Sequence, residues 1–118
     1  MQDVKSENWD DVVLKSDNLM LVEFWAPWCP WCRRLTPLLK EIEGSYDGKM
    51  RFAMLNTEEY PDIASKYGVM SLPTMKFFCG GREVGDLVGY MPEDMLKQEF
   101  DKILSKYNDC LAQSSVIK

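Results

Sequence analysis

The sequence contains no histidine. Any acid–base step therefore falls to a carboxylate, a thiol, a lysine, a tyrosine or water. A metal site would have to be built without imidazole. Positive charge is also in short supply: 14 Lys and Arg stand against 19 Asp and Glu, for a formal net charge of -5. A phosphate-binding domain is normally basic, so nucleic acid is not an expected partner. Self-repulsion at this charge suits a monomer. No apolar run is long enough to span a membrane; the longest, Leu19 to Trp28, is interrupted by Glu23. The opening Met1-Gln2-Asp3-Val4-Lys5 has no charged stretch followed by an apolar one, the pattern of a secretory leader. The expectation is a cytoplasmic protein, although a leader already removed would leave no trace. Repeats, low-complexity stretches and internal linkers are lacking as well.

The 118 residues suit one domain with one core. Folding at this size buries roughly two-thirds of the unfolded chain's surface, so disulfide staples are not required. Four cysteines without a visible leader point to redox or metal chemistry rather than to a secreted disulfide framework. We read a single domain over residues 1–109 and a loose polar tail over 110–118.

Residues 2–5 suit a short strand, and Ser6 a helix N-cap for residues 7–16, with Trp9, Val12 and Val13 on one face. Leu19 to Trp25 is a strand, apolar nearly throughout and so covered on both faces. Glu23 is the anomaly in it, and a buried carboxylate there needs a reason. A long helix follows to about Tyr46, with Leu35, Leu38, Leu39, Ile42 and Tyr46 as its inner stripe. Pro37 should kink it. Met50 to Asn56 is a strand, and Glu58 to Tyr67 a helix stopped by Gly68. Thr74 to Cys79 and Glu83 to Val88 form a hairpin about Gly80-Gly81. Pro92 opens a last helix with Met95, Leu96, Phe100, Ile103 and Leu104 facing inward. The order is α/β, beginning β-α-β with parallel pairing and ending in an antiparallel hairpin.

Between the second strand and the long helix lies Trp25-Ala26-Pro27-Trp28-Cys29-Pro30-Trp31-Cys32-Arg33-Arg34. Cysteines three apart can close a disulfide within one helical turn, and C-x-x-C beside a β-α-β pattern is a redox signature. Over roughly residues 3–107 the chain resembles the thioredoxin family. Val22-Glu23-Phe24-Trp25-Ala26-Pro27-Trp28-Cys29, Cys32, Pro37, Tyr67-Gly68-Val69, Leu72-Pro73-Thr74, Gly80-Gly81 and Val88-Gly89 carry the resemblance. It implies a mixed five-stranded sheet in the order 1-3-2-4-5 with four flanking helices.

The resemblance also implies roles. Cys29, at a helix N-terminus that favours its thiolate, is the exposed nucleophile. Cys32 is the buried resolving thiol, and the two form the redox-active disulfide. Glu23 takes the place of the buried Asp of thioredoxins, as in protein disulfide isomerase domains, and would accept the proton of Cys32. The lysine usual on the next strand is replaced by Met54. Glu23 is therefore expected to lack a cationic partner and to have a raised pKa. Pro73 is expected to be cis and to face the cysteines, with the Leu72 backbone pairing with a bound peptide. Trp28, Pro30, Trp31, Met70, Leu72, Val88 and Gly89 form the expected substrate rim, with a core position the competing reading for Val88.

The dipeptide Pro30-Trp31 differs from the Gly-Pro of thioredoxin and the Gly-His of protein disulfide isomerase. It is most similar to the Pro-Tyr of glutaredoxins. A weaker reductant than common thioredoxin is expected. The implied activity is reduction of protein disulfides, with no cofactor and no metal. The implied partners are disulfide-containing proteins and a thioredoxin reductase or other thiol donor. Three readings stay open beside it: an oxidase or isomerase domain, a glutathione-linked domain, and a redox-inactive scaffold or metal module. Cys79 and Cys110 should both lie at the pole opposite the motif, either as a pair or as two unrelated small apolar residues.

Overall fold

The computed structural model describes residues 1–107 and Cys110. Its strands are β1 (Gln2–Val4), β2 (Leu19–Trp25), β3 (Met50–Asn56), β4 (Thr74–Cys79) and β5 (Arg82–Val88), and its α-helices are α1 (Pro30–Ile42), α2 (Pro61–Lys66) and α3 (Glu93–Tyr107). The strands form one sheet in the order β1-β3-β2-β4-β5. β2 pairs in parallel with β3 and antiparallel with β4. The expected α/β fold and strand order are both present.

β2 is the middle strand, and its alternation sorts the core. Leu19 and Leu21 join Leu35 and Leu39 of α1 and Leu96 and Phe100 of α3 on one face of the sheet. Met20, Val22 and Phe24 join Trp9, Ile63 and Phe78 on the other. A period of two therefore puts Glu23 on the face covered by α1 and α3. Gly80 and Gly81 both have positive φ, 60° and 84°, which lets the β4–β5 hairpin close without a Cβ in the way.

Several elements depart from the sequence reading. The first helical segment is a 3-10 turn, Ser6–Asn8, followed by a π turn, Asp10–Leu14. Ser6 does not cap it; Lys5 is the cap, and its amide donates to Asn8 Oδ1 at 2.8 Å. The physical reason is Trp9, which is buried against Phe24, Tyr67 and Phe78. That anchor sets the chain path and overrides a local cap. The long helix ends at Ile42 and passes into a 3-10 turn, Glu43–Tyr46. The following short helix is confined to Pro61–Lys66. Met95 is not inward: it is 49% exposed. It lies about 100° of helical rotation from Leu96, outside the stripe that Phe100 and Leu104 continue.

Cys79 and Cys110 are joined by a disulfide, with Cα atoms 5.4 Å apart. Both are buried against the α1–α3 core. The remainder of the expected loose tail lies outside the described residues. Among the described residues no helix is long and apolar enough to cross a membrane.

This bond spans a sequence separation of 31. Closing a loop of that size lowers the entropy of the unfolded chain by the equivalent of about 3.5 kcal/mol. Replacing both Cys79 and Cys110 with alanine is expected to lower stability by that order in non-reducing urea titrations. An unchanged midpoint would show that the bond contributes nothing.

Candidate functional site

The motif turns the chain from β2 into α1. The Cys29 amide donates to the Ala26 carbonyl at 3.1 Å, and the Arg33 side chain donates to the Pro27 carbonyl at 2.9 and 3.2 Å. Cys29 is the N-cap of α1 and Pro30 the first helical residue, a position where the missing amide costs little. Cys29 and Cys32 are disulfide-bonded, with Cα atoms 5.3 Å apart. The Cys32 amide donates to Cys29 Sγ at 3.1 Å.

Cys29 was expected to be exposed and is not: it is 3% exposed, and Cys32 2%. In this oxidised state its sulfur is bonded to Cys32 and receives that residue's amide, so it is folded into the first turn. The exposed groups are its neighbours Trp28, Pro30 and Trp31. Trp31 lies between Arg34, whose guanidinium is 5.1 Å from the ring centre, and Tyr90, 5.6 Å between centroids.

Glu23 is fully buried. Its sheet neighbours are Met54 on β3 and Met75 on β4, so neither strand offers it a charge or a donor side chain. Support comes from α1. The Thr36 hydroxyl lies 2.8 Å from both carboxylate oxygens and donates to them. Burial pushes the Glu23 carboxyl up to about 7, opposed by the Thr36 hydrogen bond and by the charge of Lys40. The expected raised pKa is present; Met54 is no partner, and Lys40 acts on the carboxyl only through its charge, the smallest of the three effects. Cys32, Thr36, Lys40 and Met54 line one open cavity of about 440 Å³ that also reaches Trp25 and Pro37.

The Leu72–Pro73 peptide is cis. The Gly89 amide donates to the Pro73 carbonyl at 2.8 Å, and Gly89 has a φ of 94° that favours glycine. Trp31, Leu72, Pro73, Gly89 and Tyr90 line a groove of about 270 Å³. Met70 is 94% exposed. Val88 is exposed too, so the core reading for it is overturned. It ends β5 opposite Thr74.

Thr36 and Tyr90 escaped the sequence reading. Thr36 was findable, since a residue four beyond Cys32 shares its helical face. Tyr90 follows Val88-Gly89 and differs from a core aromatic only in its exposure, which the sequence does not display. The two disulfides do not meet. β4 carries Cys79 five residues beyond Thr74, about 17 Å along the strand. Among the described residues no cluster of three or more Cys, Asp or Glu side chains is arranged as a metal-ligand set.

The "Thioredoxin" family model matches residues 1–102. "Thioredoxin 1" of Nostoc sp. is 43% identical over 101 residues, covering 86% of this chain and 94% of that protein. "Thioredoxin M-type, chloroplastic" of Pisum sativum is 38% identical over 104 residues, 88% of this chain and 60% of the relative. "Thioredoxin M2, chloroplastic" of Arabidopsis thaliana is 39% identical over 104 residues, 88% and 56%. The chain thus spans under two-thirds of the length of those two plant relatives.

A carboxyl raised from 4.5 to about 7 makes folding bind a proton between those pH values. Stability is then greatest at low pH as far as this group is concerned. It falls as pH rises from about 4.5 and levels off above about 7, by about 3 kcal/mol in all. Glu23→Gln is expected to flatten that slope and to be more stable than the parent at pH 8, as measured by urea midpoints across the range. A parallel pH dependence in both proteins would refute the assignment.

Proposed function

The chain belongs to the thioredoxin family, and on that footing we propose that it is a protein-disulfide oxidoreductase acting by dithiol exchange through Cys29 and Cys32. The observation that carries this reading is the Cys29–Cys32 disulfide at the N-terminus of α1, with a backbone amide already aimed at the Cys29 sulfur. In the reduced protein the same amide and the helix dipole favour the Cys29 thiolate.

The Cys29 thiolate attacks one sulfur of a target disulfide, and the other sulfur leaves as a thiolate that takes a proton from solvent. Cys32 then loses its proton to Glu23 and attacks Cys29. The Cys29–target bond breaks, the Cys29–Cys32 bond forms, and the reduced target departs. Two electrons pass from the site to the target. Glu23 suits the acceptor role because its carboxyl titrates near neutrality, where proton exchange with a thiol is best balanced. Pro73 lines the groove beside Trp31. The proposed substrate rim is Trp28, Pro30, Trp31, Met70, Leu72, Val88 and Gly89, on which an extended target segment would lie. Met70, Trp28, Trp31 and Val88 give it an apolar surface, and Leu72 a backbone edge.

The proposed partners are disulfide-containing proteins and a thioredoxin reductase or other thiol donor, served by a monomer with one domain over residues 1–109. A cytoplasmic location is proposed with them, while the two plant relatives are chloroplastic by name.

Cys29→Ser is expected to abolish turnover of a protein disulfide. Cys32→Ser should instead accumulate a mixed disulfide through Cys29, visible as a mass increase removed by reductant. Turnover retained in Cys29→Ser would overturn the reading. Equilibration in thiol–disulfide buffers with alkylation of Cys29 should give a potential less negative than about -270 mV, the value of common thioredoxin. A potential at or below that value would remove the proposed effect of Pro30-Trp31.

A further inference from the structure

We propose that Thr36 is a positioning residue for the resolving step: its hydroxyl ties the Glu23 carboxyl to the face of α1 that also carries Cys32, with Lys40 completing the same helical row. The inference rests on the dithiol-exchange reading and deepens it, because that reading asks Glu23 to accept a proton without saying what keeps it able to do so.

β3 and β4 face Glu23 with Met54 and Met75, which carry no charge and no hydrogen-bond donor. A buried carboxylate with no donor stays protonated and cannot take a proton. On α1, Cys32, Thr36 and Lys40 recur every four residues, so they stand on one face. All three line the cavity that Met54 closes from the sheet side. Arg33 borders the same cavity, but its guanidinium is engaged with the Pro27 carbonyl.

Thr36 reaches both carboxylate oxygens at 2.8 Å. A hydroxyl shared between the two oxygens restrains the carboxyl and favours its ionised form against the effect of burial. Lys40 is exposed, lines the same cavity and adds its charge. Both groups oppose the effect of burial. The helix thus gives this carboxylate the support that its strand neighbours cannot.

In the resolving step the Cys32 proton passes to Glu23 as the Cys32 thiolate forms its bond with Cys29. The Cys29–target bond breaks, and the target leaves as a thiolate that takes a proton from solvent. Glu23 later returns its proton to solvent, so the protein ends with one disulfide and an ionised carboxylate. Thr36 gains and loses nothing in this balance; it sets where the carboxylate sits and how readily it ionises.

Thr36→Val keeps the shape and removes the hydroxyl, whereas Thr36→Ser keeps the hydroxyl. In Thr36→Val the Glu23 carboxyl, followed by carbon NMR in the oxidised protein, should titrate about one unit higher than in the parent. The pH midpoint for release of a Cys29 mixed disulfide should rise with it, and release at pH 7 should slow about five-fold. Thr36→Ser should follow the parent in both measurements. A Thr36→Val protein with the parent's titration and rate profile overturns the proposal, as does a Thr36→Ser protein that behaves like Thr36→Val. If the parent itself fails to turn over a protein disulfide, the dithiol-exchange reading falls, while the carboxyl titration still decides whether Thr36 governs Glu23.

Discussion

The structure depends on one constraint: β2 is covered on both edges and both faces. β3 and β4 take its backbone hydrogen bonds, and helices close over each side. A strand so placed has no route for polar side chains to water, which is why it reads as a nearly unbroken apolar run. It also ends in a fixed place. The chain leaving it turns through Ala26 to Cys29 and enters α1, so the cysteine pair is held by the most deeply packed element of the molecule. Precision at the sulfurs follows from burial well below them.

Glu23 is where that constraint is broken. Its position in the alternation belongs to a Leu or Met, as Leu19 and Leu21 show. Putting a carboxylate there costs solvation, and the cost appears as a carboxyl that titrates near neutrality rather than near 4.5. The compensation comes through a side-chain hydroxyl of α1 rather than through the sheet. α1 therefore packs the core with Leu35, Leu39 and Ile42, presents the cysteines at its start, and turns Thr36 and Lys40 toward the buried acid.

Much of this could be read from the residues. The apolar run of β2, the Cys-Pro-Trp-Cys motif and the burial of Glu23 rest on patterns in the residues themselves, whereas the strand order and the cis Pro73 rest on the resemblance to the thioredoxin family. The misses share a different origin. Trp9 bends the first helical segment because of aromatic partners far along the chain. Met95 fell on the wrong side of a stripe whose width only packing defines. Thr36 shares a helical face with Cys32, but its hydroxyl has meaning only once the depth of Glu23 is known. Cys29 is covered because its sulfur is bonded and capped, a matter of redox state that the sequence alone does not carry.

The second disulfide, at the far end of β4, changes what the molecule can hold. All four cysteines are accounted for by the Cys29–Cys32 and Cys79–Cys110 bonds. Fully reduced, the chain stores four electrons rather than two. Among the described residues, the pair at the start of α1 is the one flanked by an exposed apolar rim, Trp28 and Trp31. The other two are enclosed by core side chains, so the protein's electron capacity is twice what its working site can exchange in one cycle.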